Sequence, residues 1–405
     1  LAMPAQPAYR ADVAPFCGVI AVLLYDGLQP PRRATLRLEA GVVTDISNIN
    51  DITDTGDVED RGLTTTSEPL IVPGFVDLHN HGGAGGGFPN GTVEECIEAA
   101  LYHRQRGTTT LWASLVSAPG AELIAQTKLL AGLAEQGLIA GIHMEGPFIS
   151  ACRCGAQNPA HIIDGDPQLF ADVIDAGRGF LKAITFAPET PNADALFELC
   201  ASHNIIASLG HTDADFTTMA EAIARGRAVG ATVTATHLFN AMPQIHHRDP
   251  GAVAALLSAG ARGEAGLEVI GDGVHLDDGT VDMVYNIAPD RAFAITDAMA
   301  AAGKADGSYV LGALDVTVSD GVARLTDGGA IAGGTSTLAE QFARRVARES
   351  SIEEASAFVT RNAAAIAGVP GTISRGDDGN LVVFSRLGDQ TPALTIAAGC
   401  AYYPK

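Results

Sequence analysis

Long apolar runs are missing from this chain. The longest, such as Gly18–Tyr25, fall far short of the ~18 residues that span a bilayer, so no membrane partner is expected. Basic clusters are missing too. The 405 residues carry 25 Lys+Arg against 47 Asp+Glu, a formal net charge of −22. Lysine is the scarcer cation, limited to Lys128, Lys182, Lys304 and Lys405. A nucleic-acid binder needs a basic face that displaces counterions, so no nucleic-acid partner is expected either. An anionic substrate would be repelled by the overall field and would need local Arg or backbone N–H groups. Cysteine is sparse: Cys17, Cys96, Cys152, Cys154, Cys200 and Cys400 are scattered along a chain too long to need staples. They read as reduced thiols, and with no basic and apolar leader at the start they imply a cytoplasmic location. Cys152-Arg-Cys154 lacks the two-residue spacer and second pair of a thiolate metal site, so it reads as a loop with no metal role.

What the chain does have is a globular composition, 47% hydrophobic and 18% charged. Its length fits two or three domains of ~150 residues, or one α/β barrel of ~250 residues plus a smaller domain. Short β-branched segments alternate with Ala-rich helical ones. The expected strands are Leu70–Leu78, Thr108–Val116, Leu138–Met144, Phe180–Phe186, Ile205–Leu209, Thr232–Thr236, Leu267–Gly271 and Ala292–Thr296. Intervening helices include Thr92–Gln105, Ala121–Gln136 and Asp215–Arg225. Strands and helices in this alternation predict a TIM-like (β/α)8 barrel. The flanks, Cys17–Val43 and Thr372–Ala397, alternate with period two around Asp26-Gly27 and Asp378-Gly379. They predict a small β-sandwich domain built from both chain ends, with residues 1–68 and 371–405 flanking the barrel over 69–370. Leu311–Val318 and Val322–Leu325, joined at Asp320-Gly321, read as a strand pair inserted near the barrel mouth.

The chemistry lies in where the His and acidic residues fall. His79 and His81 end the first predicted strand, and Glu145 ends the third. His211 follows the fifth, His237 the sixth and Asp297 the eighth. A barrel gathers the C-terminal ends of its strands at one mouth, so these residues converge despite their separation in sequence. Helix histidines such as His103 and His203 are expected in solvent. Imidazole and carboxylate ligands without thiolates suit a divalent metal, Zn²⁺, Fe²⁺, Mn²⁺ or Co²⁺, with a position left for water. An ion in such a cage lowers the pKa of water, which implies hydrolysis. His143 lies two residues before Glu145, so a strand's period points both side chains the same way and gives His143 a supporting role.

This pattern resembles the amidohydrolase superfamily. Many of its binuclear members bridge their ions with a carboxylated Lys after the fourth strand. Here Lys182 opens that strand instead, which leaves Glu145 as the bridging carboxylate. The likeness narrows through ordered motifs: Pro73–Gly83, His143–Phe148, Leu209–Thr212, Ala235–Pro243, Asp272–His275, Ile295–Ala298 and Ala332–Ser336. In that order they are similar to the N-acetylglucosamine-6-phosphate deacetylases.

The resemblance implies the following roles. Glu145, His211 and His237 would bind the metal found throughout that family, and Asp297 would act as general base and then general acid. The loop Asp272, Gly273, Val274 and His275 would hold the sugar, with Ala156, Ile331, Ala332 and Gly333 giving backbone contacts to it. Asn240 and Ala241 would meet the phosphate end. Arg248 would reach the phosphate in the neighbouring subunit's site, making the protein a homodimer. Two departures stand out. The single-metal branch has Gln and Asn in place of His79 and His81, and a His in place of Gln157. Both changes favour a second ion on His79 and His81, although one ion per chain also remains open. The implied reaction is hydrolysis of N-acetylglucosamine 6-phosphate to glucosamine 6-phosphate and acetate, in amino-sugar catabolism or cell-wall recycling. Two alternatives stand beside it: a cyclic-amide hydrolase or deaminase on the same fold, and a non-catalytic scaffold.

Overall fold

The computed structural model describes residues 15–49 and 69–404. Of the expected N-terminal domain segment 1–68, residues 1–14 and 50–68 lie outside them. Eight parallel strands form one sheet in sequential order: β1 (Phe75–Asn80), β2 (Thr108–Leu115), β3 (Gly141–Glu145), β4 (Leu181–Phe186), β5 (Ile206–Leu209), β6 (Val233–Ala235), β7 (Gly266–Val269) and β8 (Ala292–Ala294). Beyond the last strand the ring closes onto the first: Asn80 and Ala298 form a parallel bridge, and His81 N–H donates to the Ala298 carbonyl at 2.7 Å. The barrel expected from the alternation of elements is therefore present.

Connecting helices include α1 (Val93–Gln105), α2 (Gly120–Glu135), α3 (Pro167–Gly177), α4 (Ala193–His203), α5 (Phe216–Ala228), α6 (Gly251–Ala261) and α7 (Asp278–Ile287). α3 shows why such a segment winds and stops. Asp166 accepts from the N–H groups of Gln168 and Leu169, Pro167 presets the first turn, and Phe170, Val173 and Ile174 recur at helical spacing and are buried. Arg178, at φ 48°, ends it in the left-handed region. α1 corrects one expectation. His203 is exposed as expected, but His103 is fully buried. It follows Cys96, Ala99 and Ala100 at i+7, i+4 and i+3, so it belongs to that helix's buried stripe.

A second sheet has seven strands, ordered Cys400–Tyr402, Leu394–Ala397, Leu381–Phe384, Leu70–Pro73, Gly18–Leu24, Arg32–Glu39 and Val42–Asn48. Both chain ends contribute to it, as the flanking patterns predict. Its core is Leu24, Leu36, Leu38, Ile71, Val383, Ile396 and their neighbours. Leu70–Leu78, expected as one strand, is two. Leu70–Pro73 pairs antiparallel with Leu381–Phe384, and β1 begins at Phe75. The change of partner falls at Gly74, where a Cβ would collide with the Thr109 side chain. The pair Pro73-Gly74 marks this switch within the otherwise apolar run Leu-Ile-Val-Pro-Gly-Phe-Val.

The inserted hairpin also differs from expectation, having three strands. Gly307–Leu311 pairs with Leu314–Ser319, which pairs with Val322–Leu325. Gly312, at φ 57°, makes a tight turn inside what reads as a continuous strand. Leu311, Val316, Val318 and Ala323 pack with Met299 and Ala332. By contact density the chain divides into two units. One holds Leu78–Ala100 and Leu111–Ser336, the other the described parts of Leu1–Asp77 with Leu101–Thr110 and Thr337–Lys405. Every site residue discussed below lies in the former.

Candidate metal centre

His79 is the fifth of six residues in β1 and Glu145 is the last of β3, while His211, His237 and Asp297 lie two or three residues beyond β5, β6 and β8. All six donor side chains of the cluster, His81 included, are buried. Each of the three residues beyond a strand holds left-handed backbone, at φ 46° (His211), 26° (His237) and 47° (Asp297). Such a conformation is strained for a residue with a Cβ and turns the side chain back across the mouth. The surrounding backbone holds it there. The His211 carbonyl accepts from Ser150 N–H at 2.9 Å, and Asp297 N–H donates to the His79 carbonyl at 2.9 Å. Gly334 N–H reaches the Asp297 carbonyl at 2.6 Å, an approach open only to glycine because a Cβ would strike the Thr296 carbonyl. That close approach explains the Ala332-Gly-Gly motif.

Two overlapping donor groups result, His79–His81–Glu145 and Glu145–His211–His237, with donor atoms in each within 4.8 Å of one another. Glu145 is shared. Its Oε1 lies 3.0 Å from His211 Nε2 and 2.9 Å from His237 Nε2, and its Oε2 lies 3.2 Å from His81 Nε2. The His79–His81 and His211–His237 Nε2 atoms are each 3.1 Å apart.

The chemistry of these donors can be read from their outer partners. His81 Nδ1 faces the Ser114 carbonyl at 3.2 Å, His211 Nδ1 the Arg153 carbonyl at 2.9 Å, and His79 Nδ1 faces Glu268 Oε2 at 3.2 Å. Those oxygens accept, so each of the three rings carries a proton on Nδ1 and turns Nε2 inward, the atom that would offer its lone pair to an ion. Imidazole nitrogens and a carboxylate converging at these distances call for positive charge between them, so the donor set fits a divalent metal. Lys182 is on the other end of β4, where its Nζ donates to the Gly179 carbonyl at 2.8 Å. No metal-competent group among the described residues includes Cys152 or Cys154.

Electrostatics follow the same geometry. Burial opposes charge on His79 and His81, yet the facing carboxylates of Glu145 and Asp297 raise both above the usual histidine value. Burial likewise opposes ionisation of Asp297, but the His79 and His81 charges outweigh it and hold the carboxyl at about 2. Glu145 is held well below the usual range, where burial is outweighed by His79, His211 and His237.

Under the metal donors lies a chain of hydrogen bonds. His143 joins Ser114 Oγ at 2.9 Å and Thr185 Oγ1 at 2.8 Å; Thr185 Oγ1 joins Thr236 Oγ1 at 2.8 Å, and Thr236 joins Ser208 Oγ at 2.7 Å. Burial and the neighbouring histidine charges keep the His143 ring neutral, well below its usual value. Gln157 Nε2 donates to Glu145 Oε2 at 2.6 Å while its Oε1 accepts from Ser117 N–H at 2.7 Å, so it anchors the shared carboxylate.

A cavity of about 240 Å³ opens beside the cluster. Of the expected substrate contacts, Ala156, Asn240, Ala241, His275, Ile331 and Gly333 line it, while Ala332 is buried behind them. Asn240 Nδ2 also donates to the His237 carbonyl at 3.1 Å. Asp272 does not line the cavity but accepts from His275 Nδ1 at 2.8 Å, and its other oxygen takes the N–H groups of Val274 and His275. Gly273, at φ 76°, makes the turn, and Val274 is 43% exposed. Burial opposes charge on His275, and Asp272 more than offsets it, raising the ring's pKa. Arg248 is exposed and does not line this cavity. Gly155, Leu311 and Ala330 also line it, and Glu268 touches His79; sequence reasoning missed all four. Only Glu268 leaves a signal, a lone carboxylate inside the apolar strand Gly266–Val269.

The fold and this donor set define a class: barrel hydrolases that hold divalent metal between histidines and carboxylates at the C-terminal mouth. The profile of the amidohydrolase family matches residues 70–400, and the chain belongs to that family. More particularly, it is 33% identical over 282 residues to the N-acetylglucosamine-6-phosphate deacetylase of Lysinibacillus sphaericus, covering 67% of this chain and 69% of that one. It is 30% identical over 353 residues to the enzyme of the same name from Bacillus subtilis (strain 168), covering 84% and 86%. Among solved structures, a variant N-acetyl-D-glucosamine-6-phosphate deacetylase of Mycobacterium smegmatis in complex with N-acetyl-D-glucosamine-6-phosphate superposes with TM-score 0.87. Identity there is 33%, with 96% of this chain and 99% of that one covered.

Proposed function

We propose that this chain hydrolyses the N-acetyl amide of N-acetylglucosamine 6-phosphate to glucosamine 6-phosphate and acetate, in amino-sugar metabolism. One observation carries the reading: Asp297 Oδ1 stands 3.4 Å from His79 Nε2 and 3.2 Å from His81 Nε2, beside Glu145, where the cluster meets the cavity. The family and the shared name of the relatives support the same reaction.

Glu145, His211 and His237 would hold one divalent ion, and His79, His81 and Glu145 a second; we assign zinc to both. Such ions supply Lewis-acid polarisation of the acetyl carbonyl and lower the pKa of water. Asp297, ionised throughout the neutral range, takes the proton from the attacking water. It then returns that proton to the departing nitrogen, without which an amide anion would have to leave. His275, with Nδ1–H committed to Asp272 and its pKa raised by that carboxylate, donates Nε2–H from the charged ring to the carbonyl oxygen as charge develops there.

Among the described residues, those lining the cavity include no Lys or Arg, yet a phosphate dianion calls for a placed cation. Arg248, exposed on the loop after β6, supplies it to the partner site of a homodimer, with Asn240 and Ala241 at the phosphate end. Ala156 and residues 331–333 contact the sugar through backbone. The six free thiols support a reducing, cytoplasmic compartment.

Acetate release from N-acetylglucosamine 6-phosphate, N-acetylgalactosamine 6-phosphate and unphosphorylated N-acetylglucosamine tests the reading. The first should give the highest kcat/KM. Equal turnover of the free sugar would remove phosphate from the recognition, and no turnover of any of the three would remove the function. Arg248→Ala should raise KM for the phosphorylated sugar alone. Mixed with Asp297→Asn chains under subunit exchange it should regain activity, and no recovery would place Arg248 outside the partner site.

A further inference from the structure

β7 contributes no donor to the metal cluster, yet it buries a carboxylate directly behind it. The Glu268 side chain is 5% exposed. Its Oε2 receives two hydrogen bonds, from the His79 ring Nδ1 at 3.2 Å and from the backbone N–H of His237 at 3.1 Å. The backbone N–H can only donate, and a carboxylate oxygen only accepts, so Oε2 is the acceptor in both contacts. The four imidazoles of the cluster are thus supported unequally. His81 and His211 lean on backbone carbonyls, and His237 Nδ1 has no hydrogen-bond partner among the described residues. Only His79 leans on a carboxylate.

We infer that Glu268 is a positioning residue for the second ion. It fixes the His79 ring with its proton on Nδ1, aims the Nε2 lone pair at the site shared with His81 and Glu145, and enriches that nitrogen's electron density. The inference rests on the two-ion reading. One oxygen atom also ties the ring of a ligand in one donor group to the backbone of a ligand in the other. Glu268 grips only the backbone of His237, whose ring is already set by Glu145 and His211, so its influence falls on the second ion far more than on the first.

Metal content by elemental analysis, with affinities from chelator competition, tests this on the full chain. Zinc is the probe, added to metal-free protein, and folding is checked by circular dichroism and melting temperature. The unmodified chain should take up two equivalents. Glu268→Gln keeps an acceptor oxygen but loses the charge, and should weaken only the second equivalent, by roughly 10–100-fold. Glu268→Leu should lose the second equivalent and keep the first, and adding His79→Gln to it should cause no further loss. If the leucine variant does not fold, the glutamine variant decides. Two equivalents at unchanged affinity in the folded variants would overturn the proposal alone. A single equivalent in the unmodified chain would overturn it together with the two-ion reading.

Discussion

In the seven-stranded sheet, Leu24, Leu36, Leu38, Ile71, Val383 and Ile396 pack into an apolar core, whereas the barrel interior places Ser114, His143, Thr185, Thr236 and Ser208 in one hydrogen-bonded chain. The two regions bury side chains equally well and for different ends. Apolar burial is non-directional and scales with area, so the sheet loses stability in proportion to what is removed. A buried polar chain is directional: removing one member leaves its neighbour unpaired, and what it protects is the aim of the groups above it.

That contrast gives four expected outcomes. The largest is Asp297→Asn at the mouth, where kcat should fall by about 10²–10⁴-fold because an amide cannot take the proton. Its melting temperature and zinc content should stay close to those of the unmodified chain. Residual kcat within about threefold would remove Asp297 from the chemistry. Next is Leu36→Ala in the sheet, expected to cost about 2–5 kcal/mol in denaturant unfolding while kcat of the folded fraction is unchanged. A loss of kcat larger than the loss of folded protein would break the division of labour. Third is Thr185→Val, nearly the same volume, which leaves His143 Nε2 unpaired. It should cost about 1–3 kcal/mol and also lower kcat, whereas an apolar swap of matched volume in the sheet should leave kcat alone. Neutral behaviour on both counts would show that the chain of hydroxyls has no role in the site.

The smallest concerns pH. Asp272 raises the His275 pKa despite burial, and His275 lowers that of Asp272. The pair's contribution to stability is therefore complete between the ordinary carboxylate and histidine values. It is lost as pH rises through the raised His275 value, and again as pH falls through the lowered Asp272 value. Asp272→Asn should start the alkaline decline of kcat/KM at lower pH. An unmoved alkaline limb would assign that limb to another group.

The same contrast explains what sequence could and could not reveal. The barrel and its mouth were legible because strand ends are marked twice, by the close of an apolar run and by a His or acid just after it, as at Leu209-Gly-His211 and Ala235-Thr-His237. Glu268 was legible only as an oddity, because a lone carboxylate in a four-residue apolar strand carries no periodicity that says what it faces. The switch of sheets at Gly74 was signalled by Pro73-Gly74 but overridden, because both neighbouring strands are buried on two faces and read as one run. His103 was misplaced since a polar residue on a buried helix stripe looks like the end of the helix's wet face. The third strand of the insertion was lost at Gly312, whose turn needs only one glycine.

The left-handed backbone of His211, His237 and Asp297 carries a consequence for how this sequence can change over time. A Cβ at such angles costs of order 1–3 kcal/mol per residue; Arg178 bears that cost at a helix end, whereas the cluster bears it at three positions where glycine could not supply the side chain. Glycine at any of the three would relax the chain and make a longer-lived but inert protein. Selection for durability and selection for turnover thus pull these positions in opposite directions. A chain released from the reaction would be free to take glycine at any of the three, and glycine there would mark a chain that cannot assemble this cluster.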